Sequence, residues 1–284
     1  MWTLFQRLLS PIRHYYPERQ RGFGCHPRII IALLIIGGSI AYHYLGTTEF
    51  ENEFTGRTQR LAFPTAEEEI ALGLQSAPMM IRQMGGQSRD NKAQALVDRV
   101  GNKLVQSTLA RQTPYRFEFH LLADNQTINA FALPGGQIFI TEALFRLFKN
   151  EDQLAGVLGH EIGHVVGRHS NEQMAKSRLW SGLAQGAGVL LSDGQSNAGA
   201  QIANMAADIR LKSFGRDDEL ESDALGVRFL IDAGYDPEAM IGVMEILAKA
   251  ASGNRQPEFL STHPNPENRV EKIREAIELY RKGK

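Results

Sequence analysis

The longest apolar run in the chain lies near its start. Residues 29–45 read IIIALLIIGGSIAYHYL and contain no Asp, Glu, Lys or Arg. Because the run has no polar face, it does not fit an amphipathic helix on a membrane surface. Its length is at the short end of the roughly 17–25 residues that a membrane-spanning helix needs. The pattern predicts one transmembrane helix over residues 29–46.

Beyond this run, most apolar positions follow helical spacing. Residues 47–64 are polar and predict a linker, after which a capping-box pattern at Thr65 marks a helix start. Residues 116–122 alternate as a strand does, and residues 129–141 place two short apolar runs around a Pro-Gly-Gly turn signal. We therefore expect an α+β fold, a mostly helical domain over residues 65–284 with a small β-sheet.

Residues 181–207 form a second distinctive segment, rich in Gly, Ala and Ser with helical spacing at its edges. This composition fits either a mobile segment or a pair of helices that pack through small residues. The sequence leaves both interpretations open.

The charges are distributed unevenly. The 31 Lys+Arg and 32 Asp+Glu nearly cancel, which gives no support for nucleic-acid binding through bulk charge. Five arginines and one glutamate precede the apolar run, so the positive-inside rule places residues 1–28 in the cytoplasm and the main domain across the membrane. A cleaved signal peptide is the alternative, although the basic region is long for one. The single cysteine, Cys25, excludes an internal disulfide and an all-cysteine zinc site.

An HExxH pattern provides the first chemical signal. His160, Glu161 and His164 lie in a stretch with helical apolar spacing. Positions i and i+4 share a helix face, so both imidazoles can bind one ion while Glu161 points toward a neighbouring edge. Two imidazoles suit zinc, and the adjacent carboxylate can take a proton from a zinc-bound water. The alternative is a pair of solvated histidines.

A catalytic zinc also needs a third protein ligand and an open fourth position. The longer HExxHxxGxxH pattern fails, because position 170 is Ser170 and His169 comes one residue early. Glu219 and Asp223 lie four apart on a later helix, so Glu219 can bind zinc and Asp223 can orient a ligand histidine. Glu221 points away and is expected to be solvated. The alternative is a charged face on a surface helix.

Residues 261–269, STHPNPENR, add a loop histidine. The two prolines favour an extended or turn path over a helix. From such a loop, His263 can donate to the oxyanion that forms when water attacks a peptide carbonyl. The alternative is a solvated loop histidine.

Five segments in this order resemble the HtpX/CAAX-prenyl-protease-like zinc metallopeptidases, in particular their BepA-like and Oma-like branch. The similarity covers about residues 65–280. The segments are EEEIALGLQSAP, NAFALPGGQIFIT, HEIGHVVGRH, ELESDALGVRFLIDAGYDP and STHPNPENR. The resemblance implies a zincin-type metallopeptidase domain in which His160, His164 and Glu219 bind one Zn²⁺ per chain and Glu161 is the general base.

The resemblance also implies roles for residues around the zinc. Asp223 would match the aspartate of an ExxxD signature, and His263 would match a histidine that approaches the active site, followed by Arg269. An extended substrate would add to a strand edge formed by Ala132, Gly135, Gly136 and Gln137.

The apolar run supplies the anchor, which is a departure from the soluble BepA-like proteins, and together with the resemblance it implies a membrane-anchored zinc endopeptidase that cleaves misfolded or misassembled envelope proteins. Its partners would be polypeptide substrates and, through residues 29–46, membrane lipid, with no nucleic acid. The expected location is the bacterial inner membrane with the catalytic domain in the periplasm, and the mitochondrial inner membrane is the alternative. A tethered chaperone-like or binding module with an occluded zinc site is the competing function. Glu161 favours the peptidase, since it serves catalysis and is not needed as a ligand.

Overall fold

The computed structural model describes residues 27–191, 213–252, 257–264 and 268–283. The predicted cytoplasmic segment therefore lies almost wholly outside the described residues, as does most of the Gly-, Ala- and Ser-rich segment. Within these ranges the helices are α1 (Pro27–Leu45), α2 (Ala66–Gln83), α3 (Asn91–Ser107), α4 (Glu142–Phe145), α5 (Glu151–Val166), α6 (His169–Leu191), α7 (Arg216–Ala233), α8 (Ala239–Ala251), α9 (Glu258–Thr262) and α10 (Arg269–Lys282). The strands are β1 (Thr48–Glu51), β2 (Thr58–Leu61), β3 (Glu118–Leu122), β4 (Ala130–Leu133) and β5 (Gln137–Thr141).

Helix α1 coincides with the predicted membrane span. By length and composition it could cross a membrane, and it is the only such helix in the described part of the chain. Ala32 is its one buried residue, so α1 does not have the burial of a core helix in a soluble domain. It packs against α6.

The segment predicted to be a linker instead contains an antiparallel hairpin of β1 and β2. Two of its polar side chains, those of Asn52 and Gln59, are buried, and both form hydrogen bonds with the end of α5. The Asn52 amide donates to the Val166 carbonyl (2.9 Å), and the Gln59 amide donates to the Gly167 carbonyl (2.8 Å). Hydrogen-bonding side chains of this kind have the same composition as a solvated linker, so hydropathy alone does not distinguish the two.

The predicted small sheet has three strands. Strand β5 lies in the centre, with β3 parallel on one side and β4 antiparallel on the other. All five residues of β5 are buried, whereas three of the four residues of β4 are partly exposed. The predicted capping box at Thr65 is confirmed at the start of α2.

Helix α5 lies at the centre of the domain and is buried from Gln153 to Val166. Glycines allow it to approach α7 closely. A Cβ on Gly163 would lie 2.9 Å from the Ser222 carbonyl oxygen, and a Cβ on Gly226 would lie 3.2 Å from the His160 nitrogen. Contacts this short do not accommodate a larger side chain without a shift of backbone. The close approach brings the acidic residues of α7 to the histidines of α5.

Candidate metal centre

Three predicted ligands meet at one point in the core. The Nε2 atoms of His160 and His164 lie 3.0 Å apart. The Glu219 carboxylate is 3.6 Å from His160 Nε2 through Oε2, and 3.4 Å from His164 Nε2 through Oε1. Two donors bound to one tetrahedral zinc at about 2.1 Å lie about 3.4 Å from each other. The spacing of these three side chains therefore fits a single metal ion.

Hydrogen bonds behind the imidazoles direct their lone pairs toward this point. His160 Nδ1 donates to Asp223 Oδ1 at 2.9 Å, which leaves the lone pair on Nε2. His164 Nδ1 lies 2.9 Å from His169 Nδ1, and burial lowers the pKa of His164 and favours its neutral ring. With His164 Nδ1 as the donor, two lone pairs face each other across 3.0 Å. They repel unless a proton or a metal ion lies between them.

A buried arginine compensates the negative charge around the ligands. Arg269 donates from Nε to Asp223 Oδ2 (2.6 Å) and from Nη2 to Asp223 Oδ1 (2.9 Å). Its Nη1 lies 3.0 Å from Glu219 Oε2. Burial raises the pKa of Asp223, but the charges and hydrogen bonds of Arg269 and His160 together outweigh burial and lower it. The structure thus brings Asp223 and Arg269 together directly behind the ligands.

Glu161 is beside the cluster without contributing to it. Its carboxylate is fully buried, and neither oxygen has a hydrogen-bond partner among the residues that the structure describes. Burial raises the pKa of Glu161, which makes it a better proton acceptor than an ordinary glutamate once it is ionised. A carboxylate that forms no hydrogen bond with the described residues can exchange a proton with a water molecule or another group that enters the site.

His263 lies deeper in the site than a loop position suggests. Its Nδ1 is 3.0 Å from Glu219 Oε1 and 3.3 Å from His160 Nε2, and its ring stacks on Phe259. Burial lowers the pKa of His263, but the charges of Glu219 and Glu161 outweigh burial and raise it. Ligand atoms of His263 and of the three predicted ligands all lie within 4.8 Å of one another. His263 is therefore near enough to act either on the substrate oxygen or as a fourth ligand.

The spacing of the sequence pattern excludes His169 as a metal ligand and gives it no other role, but the structure places it in contact with His164. A sharp turn at Arg168, which has a left-handed backbone (φ 56°), brings the His169 ring beneath His164. His169 Nε2 then donates to Glu221 Oε1 at 3.3 Å. The prediction that Glu221 is solvated is wrong, because Arg57 of the β1–β2 hairpin pairs with it, with Nη1 3.1 Å from Glu221 Oε2. The sequence does contain a signal for this contact, because a histidine that follows HExxH so closely can reach the second ligand histidine of the pattern.

We expect His169→Ala to weaken metal binding while leaving every direct ligand in place. Without His169, the proton on His164 Nδ1 loses its acceptor and the ring loses its fixed orientation. Residues that orient ligand histidines typically contribute about 10–100-fold to metal affinity or activity. Competition with a fluorescent chelator on the purified variant measures the change. Unaltered affinity would show that the His164–His169 contact does not support the site.

The residues predicted to bind substrate separate into two groups. Ala132 is on β4, an edge strand of the sheet, and Gly135 and Gly136 form the left-handed turn after it. The prediction that Gln137 belongs to the strand edge is wrong. Gln137 begins the central strand β5, is 3% exposed and contacts His120, so it presents no free edge. A strand between two neighbours has no unpaired backbone to offer.

A cavity of about 340 Å³ lies next to the edge strand. Ala132 and Leu133 line one side, and Met174 of α6 and Phe214 line other parts. Phe214 also stacks on His164, with ring centroids 4.1 Å apart. The cavity therefore connects the edge strand to a ring that touches a ligand histidine.

The profile of peptidase family M48 matches residues 91–277, most of the chain. The chain belongs to peptidase family M48. This membership confirms the resemblance drawn from the five segments and agrees with the predicted α+β fold class. M48 enzymes are metallopeptidases, so the family implies a metal, and the histidine and glutamate cluster of this M48 domain provides a place for it.

Individual relatives support the same assignment. The β-barrel assembly-enhancing protease of Escherichia coli K12 is 33% identical over 218 residues, which cover 72% of this chain and 44% of that protein. The mitochondrial metalloendopeptidase OMA1 of Schizosaccharomyces pombe is 34% identical over 182 residues, which cover 63% of this chain and 51% of that protein. OMA1 of Arabidopsis thaliana is 34% identical over 167 residues, which cover 57% of this chain and 33% of that protein. The M48 chain spans about half the length, or less, of these curated relatives.

Proposed function

We propose that this M48 chain is a membrane-anchored, zinc-dependent endopeptidase. The observation that carries the proposal is the approach of His160, His164 and Glu219 to within 3.0–3.6 Å of one another, beside a Glu161 carboxylate that forms no hydrogen bond with the described residues. A structural metal site needs the three ligands but not Glu161. A buried carboxylate without a hydrogen bond is costly, and a catalytic use of Glu161 explains its place.

Zinc suits this donor set, because two imidazole nitrogens and a carboxylate oxygen are usual ligands in hydrolytic sites. When bound, zinc lowers the pKa of a water molecule to about 7 and polarises a carbonyl. Glu161 accepts a proton from the attacking water and returns it to the leaving nitrogen. His263, whose Nε2 lies 3.6 Å from Glu161 Oε1, donates to the developing negative oxygen. Asp223 and Arg269 hold the His160 ring in position.

The substrate would be an unfolded stretch of polypeptide. Strand β4 lies at the sheet edge beside a cavity lined by Phe214, whose ring stacks on His164, so an extended chain can pair with β4 through backbone hydrogen bonds. Backbone pairing places few demands on sequence. This fits cleavage of misfolded or misassembled envelope proteins, the substrate class that the anchor helix favours.

The anchor would be α1, with the arginine-rich segment before it in the cytoplasm and the peptidase domain in the bacterial periplasm. A membrane-impermeant thiol reagent added to intact spheroplasts tests this orientation at a cysteine introduced on α10, in a chain with Cys25→Ser. Labelling only after the membrane is broken would place the domain in the cytoplasm.

The position of His263 favours a second candidate function. If His263 occupies the fourth corner of the metal, the site is closed to substrate and the chain acts as a tethered binding or chaperone-like module. A protein that holds one zinc per chain and cleaves no unfolded polypeptide would support this second candidate over the endopeptidase.

Metal removal tests the proposed activity. The purified full-length chain in detergent should cleave a reduced, carboxymethylated protein that cannot fold. A zinc chelator should abolish this cleavage, and stoichiometric Zn²⁺ should restore it. Mg²⁺ should not, because it prefers oxygen ligands. Cleavage that survives complete removal of the metal would contradict the proposal.

A further inference from the structure

The second half of α6 packs along α1 in an antiparallel arrangement. A Cβ on Gly182 would collide with Ser39 Oγ, and a Cβ on Gly186 would collide with Ile36 Cγ1. As residue numbers rise along α6, they fall along α1. Both glycines therefore let the two backbones approach closely, and α6 runs beside the proposed anchor for several turns.

The composition of this half-helix resembles that of α1 more than that of a surface helix. Residues 179–191 contain no Asp, Glu, Lys or Arg, and their polar side chains are Ser181 and Gln185. Trp180 is 40% exposed and Leu190 is 46% exposed. An exposed helical surface without charge is unfavourable in water and is typical of contact with lipid.

Aromatic and basic side chains cluster at one end of the helix pair. Arg178 donates to the Tyr42 hydroxyl at 3.3 Å, and the Arg60 guanidinium lies 4.8 Å from the centre of the Tyr44 ring. Tyrosine and arginine are the side chains that anchor helices at the surface of a membrane. These side chains lie at the same end of the α1–α6 pair, and this end is where both helices would leave the hydrocarbon layer.

We propose that residues 179–191 of α6 lie inside the lipid bilayer beside α1. This inference rests on the proposed membrane anchor and goes beyond it, since it assigns a second membrane segment to the peptidase domain itself. At 1.5 Å per residue the segment is about 20 Å long, a large part of the roughly 30 Å hydrocarbon thickness. The uncharged face of α6 continues the apolar surface of the proposed spanning helix α1, so the hydrocarbon interior of the bilayer is the environment that fits both.

The consequence for function is a fixed distance between metal centre and membrane. Helix α6 begins at His169, in contact with His164, and enters the proposed segment ten residues later. Ten helical residues correspond to about 15 Å. The site would therefore act on chain segments that emerge close to the bilayer surface.

Three leucine- and glutamine-to-cysteine variants in a Cys25→Ser chain test the proposal in liposomes that contain only this protein at a high lipid ratio. Gln185→Cys probes α6 at an exposed position, Leu34→Cys probes α1 (69% exposed), and Leu279→Cys probes the domain surface (67% exposed). We expect a polar maleimide to label Leu279→Cys fully. Labelling of the other two should be at least tenfold slower until denaturing detergent is added.

The outcomes separate the inference from the anchor on which it rests. Labelling of Gln185→Cys at the rate of Leu279→Cys, with Leu34→Cys protected, would overturn the inference and leave the anchor intact. Labelling of both would refute the anchor and the inference together. Native Trp180 gives a lipid-specific check in a Trp2→Phe chain, since bromine atoms on the lipid tails should quench its fluorescence. Absence of quenching would count against lipid contact.

Discussion

Glu161→Gln should abolish peptide cleavage and leave the metal in place. Glutamine keeps the size of the side chain but cannot accept a proton. The carboxylate has no hydrogen-bond partner in the described residues and lies outside the ligand set, so its loss removes chemistry without removing a hydrogen bond or a metal ligand. General bases contribute about 10²–10⁴-fold to rate, and we expect a fall in this range or to background.

Metal content and thermal unfolding are the controls for this variant. Metal content should match the wild-type chain, and the unfolding temperature should be equal or higher, because burial of a neutral amide at position 161 avoids the desolvation of a charge. The rate of cleavage of an unfolded protein is the decisive reading. A Glu161→Gln enzyme that cleaves at the wild-type rate would show that another group performs the proton transfer.

Glu219→Ala should cost the protein its metal, whereas Glu221→Ala should weaken binding only modestly. The two glutamates are on the same helix, but Glu219 lies 3.4–3.6 Å from the ligand imidazoles, whereas Glu221 acts through His169. Loss of a direct ligand should exceed the roughly 100-fold upper range for a supporting residue. The Glu221 variant, which is two contacts away from the predicted ligand His164, should stay within about tenfold.

Zinc analysis of both purified variants by mass spectrometry checks this pair. Circular dichroism controls for folding, since Glu219→Ala also removes a partner of the buried Arg269. Equal zinc in the two variants, at wild-type level, would remove Glu219 from the ligand set.

The centre of the site follows from local rules. The i, i+4 spacing of His160 and His164 on a helix brings both rings to one face, and the same spacing brings Glu219 and Asp223 together. Their separation in sequence gives no distance between the two helices. The resemblance to a known family supplied that pairing, and the glycines at the α5–α7 contact show physically why the helices can approach so closely.

What the sequence did not predict depends on contacts between distant segments. Glu221 was expected to be solvated because its helix face points away from the metal, yet Arg57 from the hairpin pairs with it and also with Asp218 at 2.8 Å. No local pattern indicates that a polar segment more than 150 residues earlier folds over that face. Gln137 was misplaced for a related reason, since alternation predicts strands but not which strand is central.

The central claim is one zinc ion bound by His160, His164 and Glu219. Zinc-edge X-ray absorption on the purified full-length protein tests it most directly. We predict one zinc per chain, with a first coordination sphere of imidazole nitrogens and carboxylate or water oxygens at about 2.0–2.2 Å. Absence of stoichiometric zinc, or a spectrum without imidazole scattering, would contradict the claim.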